Sequence, residues 1–320
     1  MKDFNIDQLE TLDDLPHTHW VALGNQLGGV NVVKALLRHE MTAEIKETVR
    51  KLFDKNSRFI PFPGLKAAFC DAGAYYVNQP SINYGEILER VRRHLAIGLR
   101  VKAEALSLPS AEEFEVRAKA TITRLAGDPR TANAVKGIWL PTVLPAGTIL
   151  PEDKGGYGAT LKLFVDGVRS AYEEAFEAEG RKFTNYRETD LAGEVSIVAG
   201  SRHECLLAAL AKEPVVGVTL LPFGGYSVDA CRETFVGHEL SAQIPEWMLL
   251  GGGLDTAVAY MAYAKELCRD AKTPIVRCPA LQWQSYSLRF LAYDSYANFD
   301  YTDYLSYASD DYSASVFCLG

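Results

Sequence analysis

The sequence predicts a mixed α/β protein, in which a helical N-terminal half packs on a mostly parallel βαβ sheet with antiparallel edge strands. Helix-like segments separated by proline and glycine fill the first half, and strand-like and helix-like segments alternate after residue 159. Between them, 137–158 holds three prolines and five glycines, which is typical of a boundary. We therefore expect a helical region at 1–150 and an α/β region at 151–320, which can also form one continuous globule.

Composition limits the classes of function. The chain has 320 residues, 48% of them hydrophobic and 23% charged, as in ordinary globular proteins. Its net charge of −8 repels the nucleic-acid backbone, so nucleic acid is not an expected partner. No apolar run approaches the roughly 18 residues of a membrane span, and acidic residues stand near the N-terminus where a signal peptide would be basic and then apolar. We expect a cytoplasmic protein with no membrane partner.

The sequence does not predict a metal site. None of the six cysteines forms a C-x-x-C pair. His17 and His19 would lie on one face of a strand, but Pro16 and the acidic, helix-like segment before it argue against a strand there. No nucleotide-binding fingerprint is present either, so the sequence leaves the cofactor open.

Local patterns predict the elements of the first half. The spacing of apolar residues predicts helices over 28–39 and 43–53. Asn83 and Ser110 each precede an acidic residue by three positions, the spacing of a capping box, and so predict two further helix starts. A short strand is expected at 74–77.

The second half is expected to alternate strands and helices. The apolar patterns predict helices over 159–179, 202–212 and 254–270, with a short one after residue 226, and strands over 194–199, 214–221, 246–250, 284–294 and 314–320.

Three glycine-rich loops follow predicted strands of this half. If the strands are parallel, their carboxyl ends meet at one edge of the sheet, where open α/β sheets bind ligands. Glycine lets backbone N–H groups approach a ligand closely. The sequence therefore predicts a site for a small polar metabolite, with these ligand-binding residues: Gly200, Gly224, Gly225, Gly251, Gly252, Gly253 and Thr256.

The catalytic candidates lie in the same loops, although whether the protein is an enzyme stays open. Ser201 and Glu204 have capping-box spacing, which explains both without chemistry. Arg202 is a candidate for orienting an anionic or carbonyl group, and His203 for an acid or base. Asp255 is the candidate second titratable group, and the alternative favoured by its position is an ordinary acid in the first turn of a helix.

A tyrosine-rich segment supports a rival hypothesis. Residues 286–312 contain seven tyrosines and five aspartates. Tyrosine is enriched at interfaces because it combines an apolar ring with a polar tip. The rival hypothesis is a non-catalytic assembly protein, with a partner or homo-oligomer surface made by Tyr293, Tyr296, Tyr301, Tyr304 and Tyr307. The alternative is that these rings only cover the edge of the sheet.

Overall fold

The structure, a computed structural model, describes residues 21, 25, 29–38, 49–65, 74–302 and 304–320. Contacts between Cα atoms divide the chain into two units, 1–49 and 50–320. In the first unit, helix α1 (Val30–Leu37) confirms the helix predicted over 28–39. Of the helix predicted over 43–53, only 49–53 lies within the described residues, and these five residues are not helical.

The helices of the second unit begin largely where local signals place them. They are α2 (Tyr84–Leu99), α3 (Ala111–Gly127), α4 (Gly156–Ala175), α5 (His203–Leu210), α6 (Val228–Phe235), α7 (Gly253–Ala262) and α8 (Ala264–Leu267). Asn83 Oδ1 accepts a hydrogen bond from the Glu86 N–H at 3.2 Å, and Ser110 Oγ accepts one from the Glu113 N–H at 3.1 Å. Both predicted caps are thereby confirmed.

The strands form two sheets. They are β1 (Trp139–Leu144), β2 (Lys182–Asn185), β3 (Val195–Ile197), β4 (Val215–Leu220), β5 (Met248–Leu250), β6 (Ile275–Trp283), β7 (Tyr286–Ala292), β8 (Tyr296–Thr302), β9 (Tyr312–Ala314) and β10 (Val316–Leu319). One sheet has the order β1-β4-β10-β5, and the other β2-β8-β7-β6-β3, with β9 also paired to β6.

The mixed α/β class is confirmed, but the prediction of a mostly parallel βαβ sheet is wrong. All three pairs of the four-stranded sheet are antiparallel, and within the described strands only β2–β8 and β6–β9 are parallel. The alternation of strands and helices indicates local structure but does not specify which strands pair. The last strand, β10, lies between β4 and β5 and runs against both.

One further strand prediction is wrong, and one strand was not predicted. Residues 74–77 form no strand, whereas β1 forms in the proline-rich stretch expected to be a boundary. Pro141 is tolerated in β1 because this strand lies at the edge of its sheet, where one side needs no ladder hydrogen bonds. The helical and α/β regions proposed from sequence thus share a sheet through the β1–β4 pair.

The strand directions bring two of the glycine-rich loops to one edge. Because β4 and β5 both run antiparallel to β10, they point the same way and their carboxyl ends lie at the same edge of the four-stranded sheet. The loops that begin after these strands contain Gly224 and Gly251. The third loop, at Gly200, follows β3 in the six-stranded sheet.

Helices α2 and α4 pack backbone to backbone. A Cβ atom on Gly98 of α2 would lie 2.2 Å from the Leu163 carbonyl oxygen of α4, so only glycine allows this approach. Helix α7 packs on α4, and each of its ten residues is buried. None of the helices in the described part of the chain combines the length and hydropathy needed to cross a bilayer.

Candidate functional site

Two of the predicted catalytic residues, His203 and Asp255, come together at the start of α7. His203 is the first residue of α5, and its Nδ1 lies 4.0 Å from Oδ1 of Asp255. Both side chains are fully buried. A Cβ atom on Gly252 would lie 2.2 Å from Cε1 of His203, so the imidazole packs directly on the glycine backbone.

A third residue, Tyr157 of α4, completes this group. Its hydroxyl lies 3.0 Å from Nε2 of His203 and accepts hydrogen bonds from the Gly253 N–H at 3.1 Å and the Leu254 N–H at 3.3 Å. Because two N–H groups donate to the phenol oxygen, the phenol proton is directed to Nε2. His203 therefore carries its own proton on Nδ1, which has no hydrogen-bond partner among the residues that the structure describes. We call Tyr157, His203 and Asp255 the buried cluster.

Burial determines the protonation of the buried cluster. It lowers the pKa of His203 to about 4 and holds the pKa of Tyr157 well above its usual value. It also raises the pKa of Asp255 to about 7, against the opposing effect of nearby backbone N–H groups. One of these is the Gly252 N–H, which donates to the two carboxylate oxygens at 3.0 and 3.2 Å. At neutral pH the imidazole is uncharged.

Other predicted ligand-binding residues hold α7 in place. The Gly251 N–H donates to the Ser315 carbonyl at 2.9 Å, and Thr256 Oγ1 lies 2.9 Å from Ser315 Oγ. A Cβ atom on Gly251 would clash with that same serine. The backbone of the Gly251 loop is therefore contacted by the protein's own side chains. The buried cluster and these contacts link α4, α5, α7 and the β9–β10 junction.

The third catalytic candidate, Arg202, contacts backbone carbonyls. Its guanidinium donates to Ser241, Ile244 and Pro245 at 3.2, 3.0 and 2.7 Å, which fixes the segment leading into β5. Arg202 has a φ of +64° and precedes the first turn of α5, so the expected Ser201–Glu204 capping box does not form. The role of Arg202 in orienting an anionic group stays a prediction.

The remaining glycines separate into two environments. Gly200 lies in an exposed turn with a φ of +79°. Gly225 is buried, and its N–H donates to the Tyr312 carbonyl at 2.7 Å. Gly224, beside it, lines a pocket. The structure therefore brings Gly251, Gly252, Gly253 and Thr256 to the buried cluster, and Gly224 to a different place.

The Gly224 pocket has a volume of about 390 Å³. It lies where β4 ends and β9 begins, and is bordered by segments around residues 56–58, 75–79 and 134–138. Its charged and aromatic lining consists of Arg58, Tyr75, Tyr76, Lys136, Asp310 and Tyr312. This size and this mixture of rings and polar groups are typical of small-molecule sites.

The pocket lining offers both signs of charge. Lys136 and Asp310 form no ion pair or side-chain hydrogen bond with any residue that the structure describes. By contrast, the Gln79 side-chain amide already has protein partners. Its Nε2 donates to the Trp139 carbonyl and its Oε1 accepts from the Trp139 N–H, each at 3.0 Å. A ligand in the pocket therefore meets one cation and one anion that have no protein partner among the described residues.

Sequence reasoning found one residue of this pocket, Gly224, as a glycine after a strand. The other lining side chains come from segments far apart in the chain and belong to no recognisable motif. Tyr157 was also missed, because nothing in its own stretch indicates contact with a histidine 46 positions away.

No cluster of three or more histidine, cysteine, aspartate or glutamate side chains suited to a metal ion occurs among the residues that the structure describes. His17 and His19 lie outside those residues. Comparison of the chain with protein-family models, curated proteins and solved structures gave no match.

Proposed function

We propose that the protein binds a small polar metabolite in the Gly224 pocket. The observation that carries the proposal is a pocket of about 390 Å³ that presents Lys136 and Asp310, both unpaired among the described residues, beside tyrosine rings. A ligand with an anionic and a cationic group would pair with both side chains. A zwitterion of modest size is therefore the ligand class that this lining favours.

The aromatic lining supports a ligand with a ring or other flat surface. Tyr75, Tyr76 and Tyr312 all border the pocket. A cation lies over each of two of these rings. Cζ of Arg269 is 4.5 Å from the centroid of the Tyr76 ring, and Nζ of Lys272 is 5.5 Å from that of the Tyr75 ring. These cations hold the two rings by cation–π contacts, so the rings are positioned before a ligand arrives.

The proposal concerns binding, and it does not use the predicted catalytic residues. Neither His203 nor Asp255 lines the pocket, and both are fully buried. A general acid or base must reach its substrate within hydrogen-bond distance. Burial of all three side chains of the cluster therefore supports a structural role for it.

The test is native mass spectrometry of the purified protein, followed by a thermal-shift screen of amino acids and other small zwitterions. Replacing Asn78, an exposed residue of the pocket lining, by Trp should obstruct the pocket. We expect Asn78→Trp and Lys136→Gln to weaken binding of a retained or identified compound by at least about tenfold, or ~1.4 kcal/mol.

Lys154→Gln is the matched control. Like Lys136, Lys154 is an exposed lysine that ends a short 3₁₀ turn, but it lies outside the pocket. Binding should survive in this variant. Equal affinity in Asn78→Trp, Lys136→Gln and the parent protein, or the lack of any adduct or thermal shift, would contradict the proposal.

The tyrosine-rich segment favours a second candidate function, assembly with a second copy of the chain. Four of its five predicted interface rings are exposed: Tyr293 by 40%, Tyr296 by 38%, Tyr304 by 64% and Tyr307 by 58%. Tyr301 differs, because it is half-buried against Trp283 and Tyr286. The exposed rings form two neighbouring pairs, with centroids 4.6 and 6.5 Å apart.

Light scattering after size-exclusion chromatography tests this second candidate. If the parent protein is an oligomer, Tyr304→Ser combined with Tyr307→Ser should dissociate it. Tyr186→Ser removes a tyrosine of similar exposure, 53%, outside the segment, and should leave the oligomer intact. A monomeric parent protein, or equal masses for all variants, would exclude self-assembly through these rings.

A further inference from the structure

Arg277 is a buried arginine whose guanidinium lies on an aromatic ring. It belongs to β6, and only 1% of its surface is exposed. Its Cζ lies 3.4 Å from the centroid of the Tyr312 ring. A guanidinium that lies over a ring can keep the N–H groups at its edges available for hydrogen bonds.

One edge of this guanidinium has no partner among the described residues. Nη1 donates to the Tyr307 carbonyl at 3.4 Å, whereas Nε and Nη2 have no hydrogen-bond partner. Arg277 also forms no ion pair with a residue that the structure describes. The Nε–H and Nη2–H groups point in the same direction and form the fork that binds a carboxylate or phosphate through two parallel hydrogen bonds.

A second arginine lies directly opposite. Arg289 of β7 is paired with Arg277 in the antiparallel register, so both side chains lie on the same face of the sheet. Its Nε is likewise buried without a partner among the described residues. Like charges at opposed positions destabilise a sheet. The nearest acid by register, Asp300 of β8, instead contacts Arg187, with 3.5 Å between Oδ1 and Nε.

We propose that Arg277 binds an oxyanion, a carboxylate or phosphate group of a small ligand, through Nε–H and Nη2–H, and that Arg289 supplies the second positive charge. An arginine stays protonated when buried, so a folded protein needs a counter-charge at such a pair. This site is separate from the Gly224 pocket, although Tyr312 lines that pocket and its ring contacts Arg277.

Residues 304–311, which precede β9, contact this site. The Tyr307 carbonyl contacts Arg277, and backbone hydrogen bonds fix this connection where Leu305 accepts from Asp229 at 3.0 Å and Asp311 accepts from Ile275 at 2.7 Å. Because the guanidinium is almost fully enclosed, we expect residues 304–311, which carry the Tyr307 carbonyl, to shift when an anion enters. Binding should therefore protect these backbone amides from hydrogen exchange.

The experiment is thermal unfolding of the full chain in increasing sodium phosphate or, separately, sodium acetate, with sodium chloride keeping the ionic strength constant. We expect a saturable rise in Tm in at least one of the two series. The series with the larger rise at equal anion concentration shows whether the site prefers phosphate or carboxylate. Arg277→Met should weaken the anion affinity at least tenfold. Arg277→Lys keeps the charge but lacks the fork, and should also lose most of the effect.

Two controls separate this site from other arginines and from the Gly224 pocket. Arg181 stacks on Phe176 at 4.4 Å, but it donates to the Arg269 carbonyl at 2.8 Å, so Arg181→Met should keep the anion effect. Lys136→Gln should also keep it. If Lys136→Gln loses the effect while Arg277→Met retains it, the anion binds in the Gly224 pocket and the proposal is overturned.

Two more outcomes are decisive. Equal Tm values of the parent protein in phosphate, acetate and chloride would show that Arg277 is only a stacked structural residue. If Arg277→Met and Arg277→Lys do not fold, Arg289→Met provides the test, since it removes the second charge and leaves the fork in place. An anion affinity unchanged in Arg289→Met would then contradict the proposal.

Discussion

The buried cluster and the Gly224 pocket differ in how their chemistry relates to access. The cluster holds a histidine, an aspartate and a tyrosine within hydrogen-bonding or near-contact distance, and all three are closed off from solvent. The pocket is a space of about 390 Å³ lined by ordinary polar side chains. Titratable residues beside glycines can therefore have a purely structural role in the core. A ligand needs accessible space, and the pocket provides it.

The glycines account for much of this difference. Glycine allows any group to approach the backbone closely, and at Gly251 and Gly252 the approaching groups are Ser315 and His203. At Gly224 the neighbouring space remains open as part of the pocket. The same sequence feature thus leads to tight packing in one loop and to a cavity wall in the other.

The largest expected effect tests the electrostatics of the buried cluster. The Asp255 pKa is raised from 3.8 to about 7, so the folded protein keeps this proton while the unfolded chain loses it. Asp255 by itself should therefore lower the free energy of unfolding by about 4 kcal/mol as pH rises from 4 to 7, at ~1.4 kcal/mol per pKa unit. Asp255→Asn removes this loss.

Urea unfolding at several pH values measures this effect. The stability of Asp255→Asn relative to the parent should increase steadily between pH 4 and pH 7 and level off above that. His203, whose pKa is lowered to about 4, makes stability rise with pH below about 6.5, but it is present in both proteins and cancels in the difference. Parallel pH profiles would mean that Asp255 is not held in its neutral form.

Gly252→Ala tests the close packing on the backbone. The added Cβ would lie 2.2 Å from the His203 ring, and overpacking of this kind costs about 3 kcal/mol of unfolding free energy. The control is Gly127→Ala at the end of α3, where an added Cβ would meet no atom within 4 Å and stability should change little. Similar midpoints in urea for the two variants would show that the imidazole can move aside.

Tyr157→Phe tests the hydrogen bonds of the buried cluster. Loss of the hydroxyl leaves His203 Nε2 and the N–H groups of Gly253 and Leu254 unpaired in the core, so we expect a cost of about 2 kcal/mol. Tyr304→Phe, at an exposed ring, should change stability by less than about 0.5 kcal/mol. A stability of Tyr157→Phe equal to that of Tyr304→Phe would show that water or a rearrangement replaces these bonds.

The sequence predicts what depends on near neighbours. The caps at Asn83 and Ser110 and the core strand β4 follow from local patterns and were predicted. The position of β10 between β4 and β5 depends on pairing between distant segments, which no local pattern encodes. The same limit applies to the candidate site. The sequence predicts that His203 and Asp255 share a site, but it does not predict Tyr157 as the partner of His203 or the residues that line the pocket.

The smallest expected effect separates the pocket from the core. Lys136 is exposed and has no partner among the described residues, so Lys136→Gln should change the unfolding free energy by less than about 0.5 kcal/mol. If the pocket binds a charged ligand, this variant should lose affinity while keeping its stability, because its charge serves the ligand and not the fold. A loss of stability comparable to that of Tyr157→Phe would instead make Lys136 part of the folded framework, and the contrast between an open site and a closed cluster would disappear.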